Sequence, residues 1–241
     1  MVYQERAYRN YIKAEDLVRF ELVEKETDLL IQANVNLYDK AMGSVIKHRG
    51  ALEQYIETNP KFLRSLSPVW VSFGSPQIIR LMAAAAKKMK VGPMAAVAGT
   101  IAEQVGRDLL PFTNELIIEN GGDIFLRLVK PRKLTVHAGS SPFSEKILVE
   151  LDPQKEPFAI SMTSGHSGRS VGFGKGDLVL AISRDAPLAD AASTAINNVI
   201  KDPSDIESGL AIARKTKGLD GVLIIKDDQM GMLGKIKLIA A

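Results

Sequence analysis

Apolar and polar positions follow two different periods along the chain, and the first is the two-residue period of a strand. Leu17–Glu24 alternates apolar and charged residues, and Asp28–Ala33 follows after a Lys-Glu-Thr turn. This pattern predicts an opening β-hairpin. From Leu37 to Glu57 the period is that of a helix, which should end before Asn59-Pro60 because proline disfavours a helical residue before it.

Two further helices are predicted to begin at prolines, which suit the first turn of a helix. One begins at Ser75-Pro76 and runs to Met89, and the next begins at Gly92-Pro93 and runs to Val105. The second has an apolar stripe made of Met94, Ala98, Ile101 and Val105. Gly99 lies beside this stripe, so another element could approach the helix closely there.

The second half of the chain reads mainly as strands, which come in groups and do not alternate strictly with helices. The predicted helices there are Pro187–Ile200 and Asp205–Thr216, and Gly221–Lys226 with Lys235–Ile239 is predicted to be a closing hairpin. The other predicted strands are Glu115–Ile118, Ile124–Val129, Leu134–His137, Lys146–Leu151, Phe158–Met162 and Leu178–Ser183. Grouped elements favour an α+β fold with a largely antiparallel sheet and helices packed on one side. We expect residues 1–241 to form a single domain, with Pro131 or Pro153 as a possible hinge.

Composition narrows the classes of function. The 241 residues include 31 Lys and Arg against 28 Asp and Glu, and no basic block is long enough to indicate nucleic-acid binding. The chain has no cysteine, which excludes disulfides, thiolate metal sites and cysteine nucleophiles. No apolar run approaches the roughly 18 residues of a membrane span, and no signal peptide is evident. We therefore expect a cytoplasmic protein without a membrane or nucleic-acid partner.

One candidate site is the sequence Glu119-Asn120-Gly121-Gly122-Asp123, between two strand-like runs. Paired glycines flanked by Asn and Asp are typical of a hairpin turn, which alone would explain the composition. The alternative is functional, since backbone N–H groups at such a turn can bind an anion while the carboxylates hold a cation.

A second candidate is the pair Asp190 and Thr194 in Ala189-Asp190-Ala191-Ala192-Ser193-Thr194-Ala195. Four residues apart on a helix, a carboxylate and a hydroxyl can converge on one ion, and two oxygen ligands would suit Mg²⁺, which retains waters. The pattern alone favours the other interpretation, a solvated face shared by Asp190, Thr194, Asn197 and Lys201.

A third candidate is the hydroxyl-rich loop Thr163-Ser164-Gly165-His166-Ser167-Gly168-Arg169-Ser170. It could surround a phosphate, with the Arg169 guanidinium as a bidentate donor, or it could be a plain surface connection. Gly172–Gly176 lacks both the Walker A spacing and the dinucleotide fingerprint, and we interpret it as a turn. His48, His137 and His166 do not have metal-ligand spacing.

Taken in order, these segments resemble motifs of the ApbE-type FAD:protein FMN transferases. Asn120-Gly121-Gly122-Asp123 is similar to the family's Asn-Ala-Gly-Gly-Asp turn, Thr163-Ser164-Gly165 to its Thr-Ser-Gly segment, and Ala189–Ala195 to its Ala-Asp-Ala-x-x-Thr-Ala motif. Within that superfamily, the chain most resembles an uncharacterised branch found in archaea and some bacteria.

The resemblance implies a T-fold-like α+β architecture and a site for Mg²⁺ and FAD or FMN. It implies that the side chains of Asp190 and Thr194 and the backbone carbonyl of Ala98 meet the metal. It also implies that FAD is cleaved at its pyrophosphate and FMN passes to a Thr or Ser of a target protein. The family's Gly-Gly-Ile-Ala-Lys-Gly segment falls near Ala96–Thr100, but its Lys is missing here, as is the family's His-containing Asp-Pro-x-Thr-Gly stretch.

Three functions therefore stay open from the sequence. The first is an enzyme with Mg²⁺-dependent chemistry on a flavin nucleotide or another pyrophosphate compound. The second is a protein that binds a small phosphate-bearing ligand without catalysis, as an accessory factor in sulfur or cofactor metabolism. The third is a purely structural subunit, and in each case we expect a homo-oligomer, most simply a dimer.

Overall fold

The computed structural model describes residues 11–165 and 173–241 as helices and strands joined by short connections. The helices are α1 (Tyr38–Thr58), α2 (Pro60–Arg64), α3 (Gln77–Met89), α4 (Val97–Leu109), α5 (Ala186–Asn197) and α6 (Ile206–Lys215). The strands are β1 (Val18–Glu24), β2 (Thr27–Ala33), β3 (Leu116–Asn120), β4 (Asp123–Arg127), β5 (Arg132–Thr135), β6 (Ile147–Leu151), β7 (Phe158–Thr163), β8 (Leu178–Ser183), β9 (Leu219–Lys226), β10 (Gln229–Gly234) and β11 (Lys237–Ala240).

Eight of these strands form one sheet in the order β1-β2-β3-β4-β7-β8-β9-β10, and every neighbouring pair is antiparallel. The helices pack on one face of this sheet around a core that includes Phe62, Met82 and Phe125. The α+β prediction, with an antiparallel sheet and helices on one side, is therefore confirmed.

The opposite face of the sheet is covered by a second sheet that the sequence did not predict. Strands β11, β6 and β5 form this three-stranded sheet, and the core between the two sheets includes Leu134, Phe158 and Leu180. Both faces of the central strands are thus buried, which explains the unbroken apolar runs 116–118, 124–126 and 178–182 in β3, β4 and β8. In the described residues, no helix has the length and apolar character that crossing a membrane requires.

The predicted closing hairpin is wrong. Strand β9 pairs with β10, which the sequence did not predict, whereas β11 pairs with β6 in the second sheet. The sequence of β10, Gln-Met-Gly-Met-Leu-Gly, carries little strand propensity because two of its six positions are glycine. Gly231 is needed because a Cβ there would lie 2.4 Å from Cγ2 of Ile206 on α6.

The predicted solvated face on the fifth helix is also wrong. Every residue of α5 is buried, including Asp190, Thr194 and Asn197. The helix is enclosed by α3, α4, β7 and β8, and its five alanines allow these elements to approach closely. A carboxylate at position 190 is therefore held away from bulk water, which changes its chemistry.

Candidate functional site

The β3–β4 hairpin places the first candidate motif at the edge of a cavity. Asn120 pairs with Asp123 in the ladder, and Gly121 and Gly122 form the two-residue turn with φ of +67° and +111°. Positive φ angles favour glycine, most of all the +111° of Gly122, so the predicted hairpin turn is correct. A carboxylate oxygen of Glu119 accepts a hydrogen bond of 2.9 Å from the Gly122 N–H, which fixes the turn.

Helix α5 meets the start of helix α4 at Asp190. The Gly99 N–H donates to Oδ2 of Asp190 over 2.9 Å, and this amide lies in the first turn of α4, where N–H groups have no partner within the helix. A Cβ at Gly99 would lie 2.6 Å from the backbone oxygen of Ala186. The close approach predicted beside Gly99 is therefore confirmed.

A further hydrogen bond connects the β3–β4 turn to the start of α4. The Asn120 side-chain amide donates to the Ala98 carbonyl over 3.0 Å. The position of the Ala98 carbonyl is thus fixed both by the first turn of α4 and by the hydrogen bond from the β3–β4 turn. Two segments about 70 residues apart in the sequence, the turn and α5, are thereby joined through the start of α4.

A cavity of about 300 Å³ lies where these elements meet, and it collects most of the predicted site residues. Its lining includes Ala98, Asn120, Gly121, Gly122, Asp123, Thr163, Ser164, Asp190 and Thr194. Residues that the sequence assigned to three separate motifs therefore face one space. His166 and Arg169, also predicted for this site, lie outside the described residues.

Gly165, which follows the lining residue Ser164, does not itself line the cavity. Its role is to allow close packing of the backbone. Its N–H donates to the Gly176 carbonyl over 2.8 Å, and a Cβ on it would lie 2.4 Å from the backbone oxygen of Gly174. The glycine allows the segment after β7 to lie directly against the segment before β8. Its contact with a ligand stays a prediction.

Burial and neighbouring carboxylates raise the pKa of both cavity aspartates. Burial, together with the charge of Glu119, raises the pKa of Asp123 to about 7, against a lowering hydrogen bond from Ser161. Burial and the charge of Asp123 raise the pKa of Asp190 well above its usual range, although the amides of Gly99 and Ala98 partly oppose this. Oδ1 of Asp123 is buried and has no hydrogen-bond partner among the described residues.

A chain of hydroxyl groups links β7 to α5 beneath the cavity. The Ser193 hydroxyl lies 2.7 Å from that of Ser161 and 2.7 Å from that of Thr163, and it donates to the Asp190 carbonyl over 3.0 Å. Ser161 also pairs with Asp123 in the ladder between β4 and β7. The hydroxyl chain therefore connects the surroundings of both aspartates.

Sequence reasoning missed two aromatic residues in the cavity wall, Tyr11 and His137. Their ring centroids lie 4.8 Å apart, and Nδ1 of His137 lies 3.0 Å from Oε1 of Glu145. No local pattern marks them, because Tyr11 precedes the first strand and His137 follows β5 in the second sheet. The only sequence signal was the glycine- and serine-rich stretch after His137.

A second, more apolar cavity of about 680 Å³ adjoins the first. The two share the side chains of Met94, Val97, Ala98 and Asn120. Leu52, Ile56 and Ile101 extend its apolar wall, and Lys25 and Arg49 lie among its lining residues. A ligand with a polar end and a flat apolar end could therefore span both cavities.

The oxygen groups at the first cavity fit a hard cation. Asp190, Thr194, the Ala98 carbonyl and the unpartnered oxygen of Asp123 are the types of ligand that Mg²⁺ takes. No group of three or more acidic, histidine or cysteine side chains that could hold a metal occurs in the described ranges. Mg²⁺ is compatible with so few protein ligands because it retains waters and often binds substrate phosphates.

The sequence and fold are similar to those of known proteins. Residues 9–223 match the family model described as AbpE bacteria. A UPF0280 protein of Methanocaldococcus jannaschii is 37% identical over 221 residues, which cover 89% of this chain and 90% of that protein. A UPF0280 protein of Archaeoglobus fulgidus is 34% identical over 228 residues, covering 92% and 94% of the two chains.

Solved structures share the fold at low sequence identity. The apo flavinyl transferase ApbE of Pseudomonas stutzeri has a TM-score of 0.58 and 11% identity, covering 92% of this chain and 94% of that one. The ApbE protein of Thermotoga maritima has a TM-score of 0.53 and 12% identity, covering 86% and 94%. At these identities the likeness concerns the fold alone.

Proposed function

This chain belongs to the ApbE-like family, and we propose that it binds a flavin nucleotide or another phosphate-bearing ligand together with Mg²⁺. Under this proposal the ligand's phosphates lie in the polar cavity beside Asp123 and Asp190. An aromatic ring system would occupy the adjoining apolar cavity. Beyond binding, the family resemblance implies that the pyrophosphate of FAD is cleaved and that FMN is transferred.

Each group in the cavity has a role in the proposal. Asp190, Thr194 and the Ala98 carbonyl would hold Mg²⁺, while the Asn120–Asp123 turn and Thr163–Ser164 would surround the phosphates. Bound Mg²⁺ would neutralise charge that develops on a phosphate being transferred. The first-turn amides of α4 add positive potential where the phosphates would lie. Tyr11 and His137 would close the cavity on its other side.

One observation carries the proposal: Asp123 and Asp190 are both buried and line the same cavity. Burial raises the pKa of both carboxyl groups, and the charge of Asp123 raises that of Asp190 further, so ionising both is unfavourable for folding. A divalent cation between them removes that repulsion. Such an arrangement is typical of a functional site, since a purely structural role would be met by apolar or amide side chains.

The test is to mix the purified protein with FAD and Mg²⁺ and to follow AMP release and flavin binding. Wild type should bind FAD in the presence of Mg²⁺, and Asp190→Asn should lose most of that binding. Asp152→Asn is the matched control, because Asp152 is exposed and lines neither of the two cavities. If neither FAD nor a panel of phosphorylated metabolites shifts the melting temperature of wild type, the proposed function is wrong.

A sequence observation favours a second candidate, binding without transfer. The lysine that the family carries in the segment matching Ala96–Thr100 is absent from this chain near Gly99. Loss of a phosphate-neutralising cation would weaken transfer more than ground-state binding. FAD binding without AMP release, abolished by Asp190→Asn, would identify the protein as a ligand-binding member of the family.

A further inference from the structure

In one segment of the chain, all charged side chains are positive. Residues 58–102 contain six Lys and Arg and no Asp or Glu. The rest of the chain carries 25 Lys and Arg against 28 Asp and Glu. The small positive net charge of the protein thus arises from this segment, which begins at the end of α1 and includes α2, α3 and the start of α4.

The same segment holds the most exposed aromatic side chains in the described ranges. Trp70 is 85% exposed and Phe73 is 89% exposed, both in the irregular connection between α2 and α3. Leu63 and Leu66 nearby are 47% and 53% exposed. Large apolar side chains grouped on a surface mark an interaction site more often than isolated ones do. We call these four residues the aromatic patch.

Cations accompany the aromatic patch directly. The Arg80 guanidinium on α3 lies 5.3 Å from the centroid of the Phe73 ring. Lys61 and Arg64 on α2 are exposed on either side of Leu63 in the sequence. Aromatic residues and arginine together are the most frequent energetic centres of protein interfaces.

The patch includes a concave part and lies beside the candidate site. Leu63 and Leu66 line a small cavity of about 100 Å³ with Met94 and Ala95, and Thr194 lies in the same lining. Leu63 and Met94 also line the larger apolar cavity. A partner on the patch would therefore lie next to the proposed ligand.

We propose that the aromatic patch docks an acidic segment of a partner protein that carries apolar side chains. Acidic residues would complement Lys61, Arg64 and Arg80. An apolar side chain would enter the small cavity lined by Leu63 and Leu66. A second copy meeting the patch symmetrically would set cation against cation, which disfavours it. A bilayer surface is flat, whereas the patch includes a concave part that one side chain can fill. This inference does not depend on the identity of the ligand in the site.

A random peptide library displayed on phage tests the proposal directly, because the selection itself reveals which side chains the patch prefers. Selection would use full-length wild type, with counter-selection against the double variant Trp70→Ala/Phe73→Ala. We expect the recovered peptides to be enriched in Asp and Glu together with apolar residues. Recovery of no peptides, or of peptides without acidic enrichment, would overturn the proposal.

Trp70 then serves as the reporter, since it is the single tryptophan of the chain. Binding of a synthesised, selected peptide should shift its emission to shorter wavelength and protect it from iodide quenching. The affinity should fall at least about tenfold in Arg80→Glu and as added salt rises. Lys133→Glu should leave the affinity unchanged, because Lys133 is exposed on β5 in the second sheet.

A second control matches the aromatic chemistry. Phe112 is 49% exposed and has Lys40 Nζ 4.1 Å from its ring centroid, yet it lies outside residues 58–102. Phe112→Ala should bind the selected peptide like wild type. An equal loss of affinity in Phe112→Ala and in Trp70→Ala/Phe73→Ala would overturn the proposal. Three other outcomes would also contradict the proposal. Resistance of Trp70 to iodide quenching in the free protein would show that the patch is covered, and a shift of its emission with protein concentration would indicate self-association. Emission that responds to phosphatidylglycerol vesicles and not to peptides would indicate a membrane partner.

Discussion

The N–H of Gly99 donates to the Asp190 carboxylate over 2.9 Å, and this bond joins two helices whose sequences are about 90 residues apart. It gives Asp190 a structural role at the start of α4 in addition to its place in the cavity wall. A single carboxylate thus positions the helix whose Ala98 carbonyl faces the same cavity. Fold and candidate site are therefore coupled at this contact.

Substitution of Gly99 by alanine should disrupt that contact. The new Cβ would lie 2.6 Å from the Ala186 backbone oxygen and 2.9 Å from Cβ of Asp190, so the two helices must separate. We expect the free energy of unfolding to fall by about 1–3 kcal/mol and ligand binding to weaken. Urea denaturation and FAD titration measure the two effects.

Gly43 provides the matched control for this substitution. It lies within α1, and a Cβ there would have no atom within 4 Å. Gly43→Ala should therefore raise the free energy of unfolding by roughly 0.5–1 kcal/mol through helix propensity. Equal effects of the two substitutions would contradict the close approach at Gly99.

The raised pKa of Asp123 predicts a specific dependence of stability on pH. The folded-state pKa of about 7 exceeds the ordinary value of 3.8, so the folded protein binds the proton more tightly than the unfolded chain. The favourable contribution is present below pH 4 and is lost as the pH rises through 7. Asp123→Asn should therefore raise the melting temperature at pH 8 and have little effect at pH 4.

Mg²⁺ should act in the same pH range, since protons and metal compete for the carboxylates. Added Mg²⁺ should raise the melting temperature of wild type at pH 8 and much less at pH 5. Asp123→Asn should reduce the response at pH 8, whereas Asp152→Asn should retain it. A Mg²⁺ response of equal size at both pH values would argue against carboxylate coordination.

Removal of the Ser193 hydroxyl should destabilise the contact between α5 and β7. Ser193→Ala leaves the hydroxyls of Ser161 and Thr163 without the group that lies 2.7 Å from each. We expect a loss of about 1–3 kcal/mol in the free energy of unfolding, because these hydroxyls are buried. Ser140→Ala, at an exposed turn, should change it by less than about 0.5 kcal/mol.

The sequence was informative where one local rule determines the structure. The period of two predicted β1 and β2, and Asn120–Asp123 had the composition of a two-residue turn that the structure contains. Helix starts at Pro76 and Pro93 were likewise predicted, although residues 93–96 form a tighter 3-10 turn before α4. Each of these features depends on residues close together in the chain.

Features set by distant residues were not predictable in this way. Asp190 and Thr194 looked solvated because burial of α5 depends on α3, α4, β7 and β8, which no helical pattern encodes. Strand β10 was missed because Gly231, which allows close packing against α6, and Gly234 both lower its strand propensity. Tyr11 and His137 reach the cavity only through the second sheet, so no spacing rule links them to Asp123.

The most direct test of the central claim is a crystal soaked with Mn²⁺ and FAD, with anomalous scattering used to locate the metal. The account predicts a peak about 2 Å from a carboxylate oxygen of Asp190 and from the Thr194 hydroxyl, with a ligand phosphate beside it. Asp190→Asn crystals should lack the peak. A metal bound elsewhere, or FAD density away from the Asn120–Asp123 turn, would contradict the claim that these residues form one metal-and-phosphate site.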